Sequence, residues 1–234
     1  MQQNNIQILC TRPLPASLID LAGAAGVAIN VSPFIETESV FSVEVQQEIE
    51  LLSFQTAIVV FTSMNAVDAV TGLLDGHHHP DWTIYCIGTA TGRLVKEYFD
   101  EEKIAGTASD AASLAILIAD GRFADEVVFF CGDQRRDELP AMLRLQGIDV
   151  NEIVVYQTIN LPHAIHQLYH GILFFSPSAV QSFFQENKLD DTTILFAIGN
   201  TTANEIKKFT NNKIIISDTP GKENLVDKMM EYFS

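Results

Sequence analysis

Apolar runs of strand length alternate along this chain with stretches of helical period. Strands are predicted at 6–10, 27–31, 57–61, 84–87, 127–131, 150–156, 172–175, 194–198 and 213–216, with a weaker one near Ile104. Several are apolar at every position, as a sheet covered on both faces requires. Alternation of such strands with helices is the signature of βαβ units and a mainly parallel sheet. Leu139, Met142 and Leu143 form one helix face, and Gly147 is expected to stop that helix in a left-handed conformation. Leu225, Val226, Met229, Met230 and Phe233 form the face of the last helix in the same way. A further helix is expected with Val45, Ile49 and Leu52 turned inward.

The pattern is written twice. Phe61-Thr62-Ser63-Met64-Asn65-Ala66-Val67 returns as Phe175-Ser176-Pro177-Ser178-Ala179-Val180, and Ile87-Gly88-Thr89-Ala90-Thr91 returns as Ile198-Gly199-Asn200-Thr201-Thr202. Gly88 and Gly199 are 111 apart (199 − 88), as are Leu114 and Leu225 (225 − 114). Cys10 and Cys131 are 121 apart (131 − 10), as are Gly26 and Gly147 (147 − 26). Two copies of this length imply two similar α/β lobes, because a stacked array needs about three or more units of roughly 20–50 residues. A cut near Gly121 and an exchange of first units between lobes are equally compatible with the pattern. The stretches 34–42 and 158–163 are the candidates for linkers.

Composition narrows the partners. Of 234 residues 47% are hydrophobic, enough for a real core, and no apolar run approaches the ~18 residues of a membrane span. Thirty acidic against fourteen basic residues give a net charge of −16, which argues against nucleic acid or an anionic membrane as partner. Cys10, Cys86 and Cys131 each fall in an apolar strand and read as buried thiols of a reducing compartment. A polar start without a basic segment adds to the expectation of a cytoplasmic protein.

In an open parallel sheet, ligands bind beyond the carboxyl ends of the strands, where helix N-termini present free amides. Four turns fall there: Thr62-Ser63-Met64-Asn65, Gly88-Thr89-Ala90-Thr91, Ser176-Pro177-Ser178 and Gly199-Asn200-Thr201-Thr202. They suit anions bound by amide and hydroxyl; they equally suit plain helix caps. Arg12 after the first strand, and Arg135-Arg136 after its repeat, are placed to face an anion or to join surface ion pairs. Tyr156 closes its strand as either hinge packing or a proton donor. His77-His78-His79 reads as a solvated turn, and His163, His166 and His170 would share a face only if their segment were helical. No phosphate loop, dinucleotide fingerprint or nucleophile elbow is present in the sequence. No cofactor is expected.

Ile8-Leu9-Cys10-Thr11-Arg12-Pro13, Ser32-Pro33-Phe34-Ile35-Glu36, the Phe61 and Phe175 segments, Leu139-Pro140 with Leu143-Arg144 and Gly147, Val155-Tyr156-Gln157-Thr158 and Ile198-Gly199-Asn200-Thr201-Thr202-Ala203 follow one another as in uroporphyrinogen-III synthases. The chain resembles that family from end to end. The resemblance implies an α/β fold of two flavodoxin-like lobes with parallel sheets, joined by two crossing linker strands. It divides the chain into 1–36 with 160–234, and 40–155, with linkers near 37–39 and 156–159.

It also implies a cofactor-independent, cyclising lyase of tetrapyrrole biosynthesis, monomeric, acting on a linear tetrapyrrole with eight carboxylates. Such an enzyme converts hydroxymethylbilane to uroporphyrinogen III with loss of water and inversion of ring D. By that resemblance Tyr156 assists departure of the hydroxyl. Arg12, Ser63, Gly88, Thr89, Thr91, Arg135, Ser176, Ser178, Gly199, Thr201 and Thr202 are the expected substrate-binding positions. Cys131 stands where many members of the family carry arginine before the glycine. The alternatives from other classes are a two-lobed binding protein for a small anion, and a phospho-acceptor domain, for which Asp133 lacks the clustered acids and lysine.

Overall fold

The structure, a computed structural model, describes residues 6–74, 80–121, 125–219 and 221–234. The chain divides into two compact units, residues 1–36 with 159–234 (unit 1) and residues 37–158 (unit 2).

Unit 1 is built on a parallel sheet of β1 (Ile6–Cys10), β2 (Val27–Val31), β9 (Gly171–Phe174), β10 (Ile194–Ala197) and β11 (Ile214–Ile216), in the spatial order β2-β1-β9-β10-β11. Its helices are α1 (Ala16–Ala24), α7 (Pro177–Glu186), α8 (Asn200–Ile206) and α9 (Lys222–Phe233). Successive strand residues point to opposite faces, and here both faces are packed. Ile8, Cys10, Leu173 and Phe196 join one cluster, while Leu9, Ile172, Phe174 and Leu195 join the other. That is why these strands are apolar throughout. Each fully buried Leu, Ile or Phe contributes about 1.5–3 kcal/mol.

The second sheet carries β4 (Ala57–Phe61), β5 (Trp82–Ile87), β6 (Ile104–Ala108), β7 (Glu126–Gly132), β8 (Asp149–Asn160) and, at its edge beside β8, β3 (Ile35–Ser39). Its helices are α2 (Val43–Ser53), α3 (Met64–Thr71), α4 (Thr89–Tyr98), α5 (Ala111–Asp120) and α6 (Glu138–Leu145). Val59, Phe61, Ile84 and Phe130 face one core; Val60, Tyr85, Phe129 and Cys131 face the other. Apart from β3 the order is β8-β7-β4-β5-β6. Matching β1 to β7 and β9 to β4, as the sequence repeat requires, makes this the order of unit 1, reached by a circularly permuted path. Unit 1 thus shows the flavodoxin-type order directly.

Helix ends follow the expected chemistry. Gly147 has φ +79, with Gly147 N donating to Arg144 O (3.0 Å) and Ile148 N to Leu143 O (3.1 Å), the paired bonds of a Schellman stop. Gly26, its repeat partner, has φ +81 after α1. The expected inward face of α2 is present, with Ile49 buried and Val45 and Leu52 packed on the same core.

Two differences from the sequence reading have physical causes. The stretch read as linker from Phe34 begins with a fully buried ring and continues as β3. Phe34 stacks on His163 at 4.1 Å and meets Phe183 edge-on. The segment 161–170 is not helical, so its histidines share no face. Instead, His163 Nε2 meets Ser32 Oγ at 2.7 Å, and His170 Nδ1 accepts from Gln7 N at 3.0 Å. His77-His78-His79 lie outside the described residues.

Candidate functional site

In each unit the carboxyl ends of the parallel strands meet the N-termini of helices, and nearly all the expected site residues stand there. In unit 2 Ser63, Arg135 and Tyr156 line a cavity of about 380 Å³ together with Thr62, Asp110 and Gly132, whereas Gly88, Thr89 and Thr91 stand apart from it at the start of α4. A smaller one of about 160 Å³ lies on another side of Tyr156, beside Thr37, Ser39, Asn65 and Asp68.

Tyr156 is held by its strand's register. Cys131 is opposite Val154, but Gly132 is opposite Tyr156, so Val155 is an extra residue and β8 bulges there. The phenol then lies over Gly132. A Cβ at Gly132 would stand 2.4 Å from Tyr156 Cζ and 2.8 Å from its Oη, so only glycine leaves room for the ring in this position. Asp133 fixes the same turn from both ends, its N–H donating to Tyr156 O (3.1 Å) and its Oδ1 accepting from Thr158 N (2.9 Å). Sequence reasoning singled out Tyr156 and passed over Gly132, which matters only through the register.

Arg135 reaches the cavity with its charge already matched. Its guanidinium contacts the carboxylates of Asp137 and Glu152, and Glu152 also takes Arg144 at 2.7 Å. Ser63 caps α3, its Oγ accepting from Asn65 N at 3.2 Å. Asp110, which the sequence reading passed over because β6 is weakly patterned, caps α5 by accepting from Ser113 N at 2.8 Å. That amide bond, helped by the Ser109 and Ser113 hydroxyls, holds its carboxyl below the usual range. The Asp-x-x-Ser spacing was the available signal. Burial first, and then the charge of Glu152, push the Cys131 thiol up to about 11, so it stays protonated near neutral pH.

Unit 1 gathers Arg12, Ser176, Ser178, Gly199, Thr201 and Thr202 at the ends of β1, β9 and β10. Arg12 lies over the Phe175 ring at 5.6 Å, and burial lowers its pKa. Thr11 is fully buried, its Oγ1 donating to Leu173 O at 2.8 Å. Ser176 caps α7 by accepting from Ala179 N at 3.1 Å.

The matched threonine turns divide sharply. Thr89 and Thr201 are exposed, whereas Thr91 and Thr202 are 6% and 3% exposed and turned into their own units. Each of the two stands three places into its helix, on the side that packs onto the core. Gly88 and Gly199 also differ. Gly88 has φ +83, in the region glycine alone adopts easily, while Gly199 is extended at φ −177. Among the described residues no group of three or more His, Cys, Asp or Glu is placed to hold a metal ion. No helix among them is long and apolar enough to cross a membrane.

A family model described as uroporphyrinogen-III synthase HemD matches residues 16–227. The uroporphyrinogen-III synthase of Saccharomyces cerevisiae is 26% identical over 176 residues, covering 64% of this chain and 64% of the yeast protein. The chain therefore matches somewhat less than two thirds of that relative's length. Among solved structures, the uroporphyrinogen-III synthetase of Helicobacter pylori has a TM-score of 0.68 at 16% identity, covering 97% of this chain and 99% of that one. A mutant uroporphyrinogen III synthase of Thermus thermophilus has a TM-score of 0.64 at 15% identity, covering 97% of both chains. At these identities the two structures show a shared two-lobed α/β fold.

Proposed function

This chain belongs to the uroporphyrinogen-III synthase family, and from that premise we propose that it converts hydroxymethylbilane to uroporphyrinogen III. The hydroxyl of the linear tetrapyrrole leaves, driven by electrons from the adjacent pyrrole nitrogen, and an azafulvenium cation remains. The already substituted carbon of ring D attacks it to give a spiro intermediate. Fragmentation and reclosure then deliver ring D inverted. The reaction releases one molecule of water, so the proton given to the leaving hydroxyl is balanced by one lost from the pyrrole carbon at closure. Neither redox chemistry nor a resident cofactor enters this scheme. The protein works as a monomer in the cytoplasm.

Selecting the spiro route over direct closure is a matter of orientation, since holding reacting groups in one geometry supplies much of a barrier reduction. A net charge of −16 opposes long-range capture of a ligand with eight carboxylates. Local donors must hold it: the first-turn amides of the helices, the hydroxyls of Ser178 and Thr201, and the cation of Arg12. Ser63 and Ser176 serve mainly by holding their helix ends in place, and Arg135 by shaping the cavity with its charge matched. Gly88, Thr89 and Gly199 contribute backbone, while Thr91 and Thr202 support the turns from within. Tyr156 donates a hydrogen bond to the departing hydroxyl. The observation that carries this reading is the slot made by Gly132, which seats a phenol at a cavity that Ser63, Asp110 and Arg135 also border.

Tyr156→Phe keeps the ring in its slot and removes the donor. Positioned proton transfer contributes about 10²–10⁴-fold, and a leaving group already driven by pyrrole nitrogen calls for the lower end. A fall in kcat of several-fold up to about a hundredfold with unchanged Tm is expected. Undiminished turnover would return Tyr156 to packing.

A further inference from the structure

Arg12 has a cationic neighbour that comes from the far end of the chain. Lys222 is the first residue of α9, and its Nζ donates to Pro13 O at 3.2 Å, one residue beyond Arg12. The guanidinium of Arg12 is fixed over the Phe175 ring. Two positive groups therefore stand at the carboxyl edge of the unit 1 sheet, near enough for the charge of Arg12 to act on Lys222. Acidic residues outnumber basic ones by 30 to 14, yet among the described residues no carboxylate forms an ion pair with either.

The arrangement is costly as it stands. Burial lowers the pKa of Lys222, and the charge of Arg12 lowers it further. Among the described residues the one carboxylate whose charge raises it is Glu223, in the same first turn of α9, and it forms no ion pair with Lys222; the other neighbour is the Cys10 thiol, whose Sγ donates to Arg12 O at 3.0 Å. Burial pushes that thiol up to about 11, so it is neutral and balances nothing. The N-cap of α9 is Gly221, which offers no side-chain cap to the amides of its first turn. A guanidinium, an ammonium and a positive helix end stand at one sheet edge with only the charge of Glu223 against Lys222, which leaves that edge net positive and suited to one small anion.

We propose that Arg12 and Lys222 form a seat for one side-chain carboxylate of the tetrapyrrole, with Lys222 as a substrate-positioning residue. The assignment of the ligand rests on the synthase reading above. The seat itself does not: it is a property of unit 1 that exists without substrate.

The experiment follows both. Steady-state kinetics with freshly generated hydroxymethylbilane and thermal melts without substrate are measured for wild type, Lys222→Gln, Lys222→Glu, Arg12→Gln and the Arg12→Gln/Lys222→Glu double variant. Lys222→Gln is expected to raise KM by about five- to thirtyfold, the factor corresponding to 1–2 kcal/mol, with little change in kcat. Lys222→Glu fills the seat from within, so KM rises at least as much while Tm also rises. A glutamate at the start of α9 gains something from the helix dipole alone. The double variant isolates that part, and the gain in Tm is expected to shrink when Arg12 is absent.

An unchanged KM in both Lys222 variants would overturn the assignment to substrate, and a Tm gain independent of Arg12 would overturn the seat. Absence of any type III product from the wild type would remove the synthase reading and the ligand assignment with it. The melts would still decide whether an open anion seat exists.

Discussion

At the end of β1 the chain reads Cys10-Thr11-Arg12; at the matching place in unit 2, after β7, it reads Cys131-Gly132-Asp133. The cysteines are alike, both buried and both with pKa pushed up to about 11. The next two positions part company. Thr11 fills its place and bonds to Leu173 O, while Gly132 leaves its place to the ring of Tyr156. Among the described residues Arg12 forms no ion pair with a carboxylate and lies near the cation of Lys222, whereas the nearest arginine in unit 2, Arg135, is held by two. One duplicated strand end has thus been finished in two ways. Unit 1 keeps an unmet positive charge, suited to an anion; unit 2 spends its charge internally and presents a phenol. A few substitutions on a common sheet edge are enough to separate the proposed holding of the substrate from the proposed proton donation.

The strongest way to break the contrast is to close the slot. Gly132→Ala sets a methyl 2.4 Å from Tyr156 Cζ, and the ring must move. Overpacking of this kind costs about 1–3 kcal/mol, and turnover per folded molecule should fall at least as far as in Tyr156→Phe. Thr11→Ala at the matching place should cost about 1 kcal/mol for its lost hydrogen bond and leave turnover per folded molecule intact. Equal losses of turnover at the two sites would mean that the strand ends do not differ in function.

The paired glycines allow a cleaner test of backbone alone. Alanine at Gly88, with φ +83, should destabilise by about 1–3 kcal/mol. At Gly199, with φ −177 and open space around its Cβ direction, the change should stay within about 0.5 kcal/mol. Denaturant melts of the two variants check both values.

A smaller effect should convert unit 2 toward the pattern of unit 1. Glu152→Gln removes a carboxylate shared by Arg135 and Arg144, lowering stability by about 1–3 kcal/mol. It also leaves Arg135 at the cavity with Asp137 as its one remaining carboxylate partner, and KM for the bilane should fall. A rise in KM would show that Arg135 serves the substrate only while Glu152 holds it. The smallest expected effect concerns the cysteines, where the units agree. With thiol pKa values of about 11, neither Cys10 nor Cys131 should react with iodoacetamide at pH 8 in the folded protein. Both should react once it is unfolded. Alkylation followed by peptide mass mapping reads this directly.

Strands buried on both faces were legible because nothing but apolar residues suits them: Ile8, Leu9 and Cys10 go to alternate cores, as do Val59, Val60 and Phe61. β3 was not, because Ile35-Glu36-Thr37-Glu38-Ser39 has a single apolar residue and lies at a sheet edge. The cap residues Ser63 and Ser176 were readable from local chemistry. The slot at Gly132 was not, since it depends on an extra residue in a neighbouring strand. Nor was Lys222, which meets Pro13 across 209 residues of sequence. The inward turn of Thr91 and Thr202 depends on the angle at which each helix leaves its glycine, which a repeat of letters does not record.

The most direct measurement follows hydroxymethylbilane, generated in place by its synthesising enzyme, to its cyclic product in chelator-treated buffer, with the isomers resolved. If orientation by this chain sets the isomer and Tyr156 assists loss of the hydroxyl, wild type should give the type III isomer, and Tyr156→Phe the same isomer more slowly. Type I product at the spontaneous rate, or type III product that vanishes with the chelator and returns with one added metal, would contradict that account.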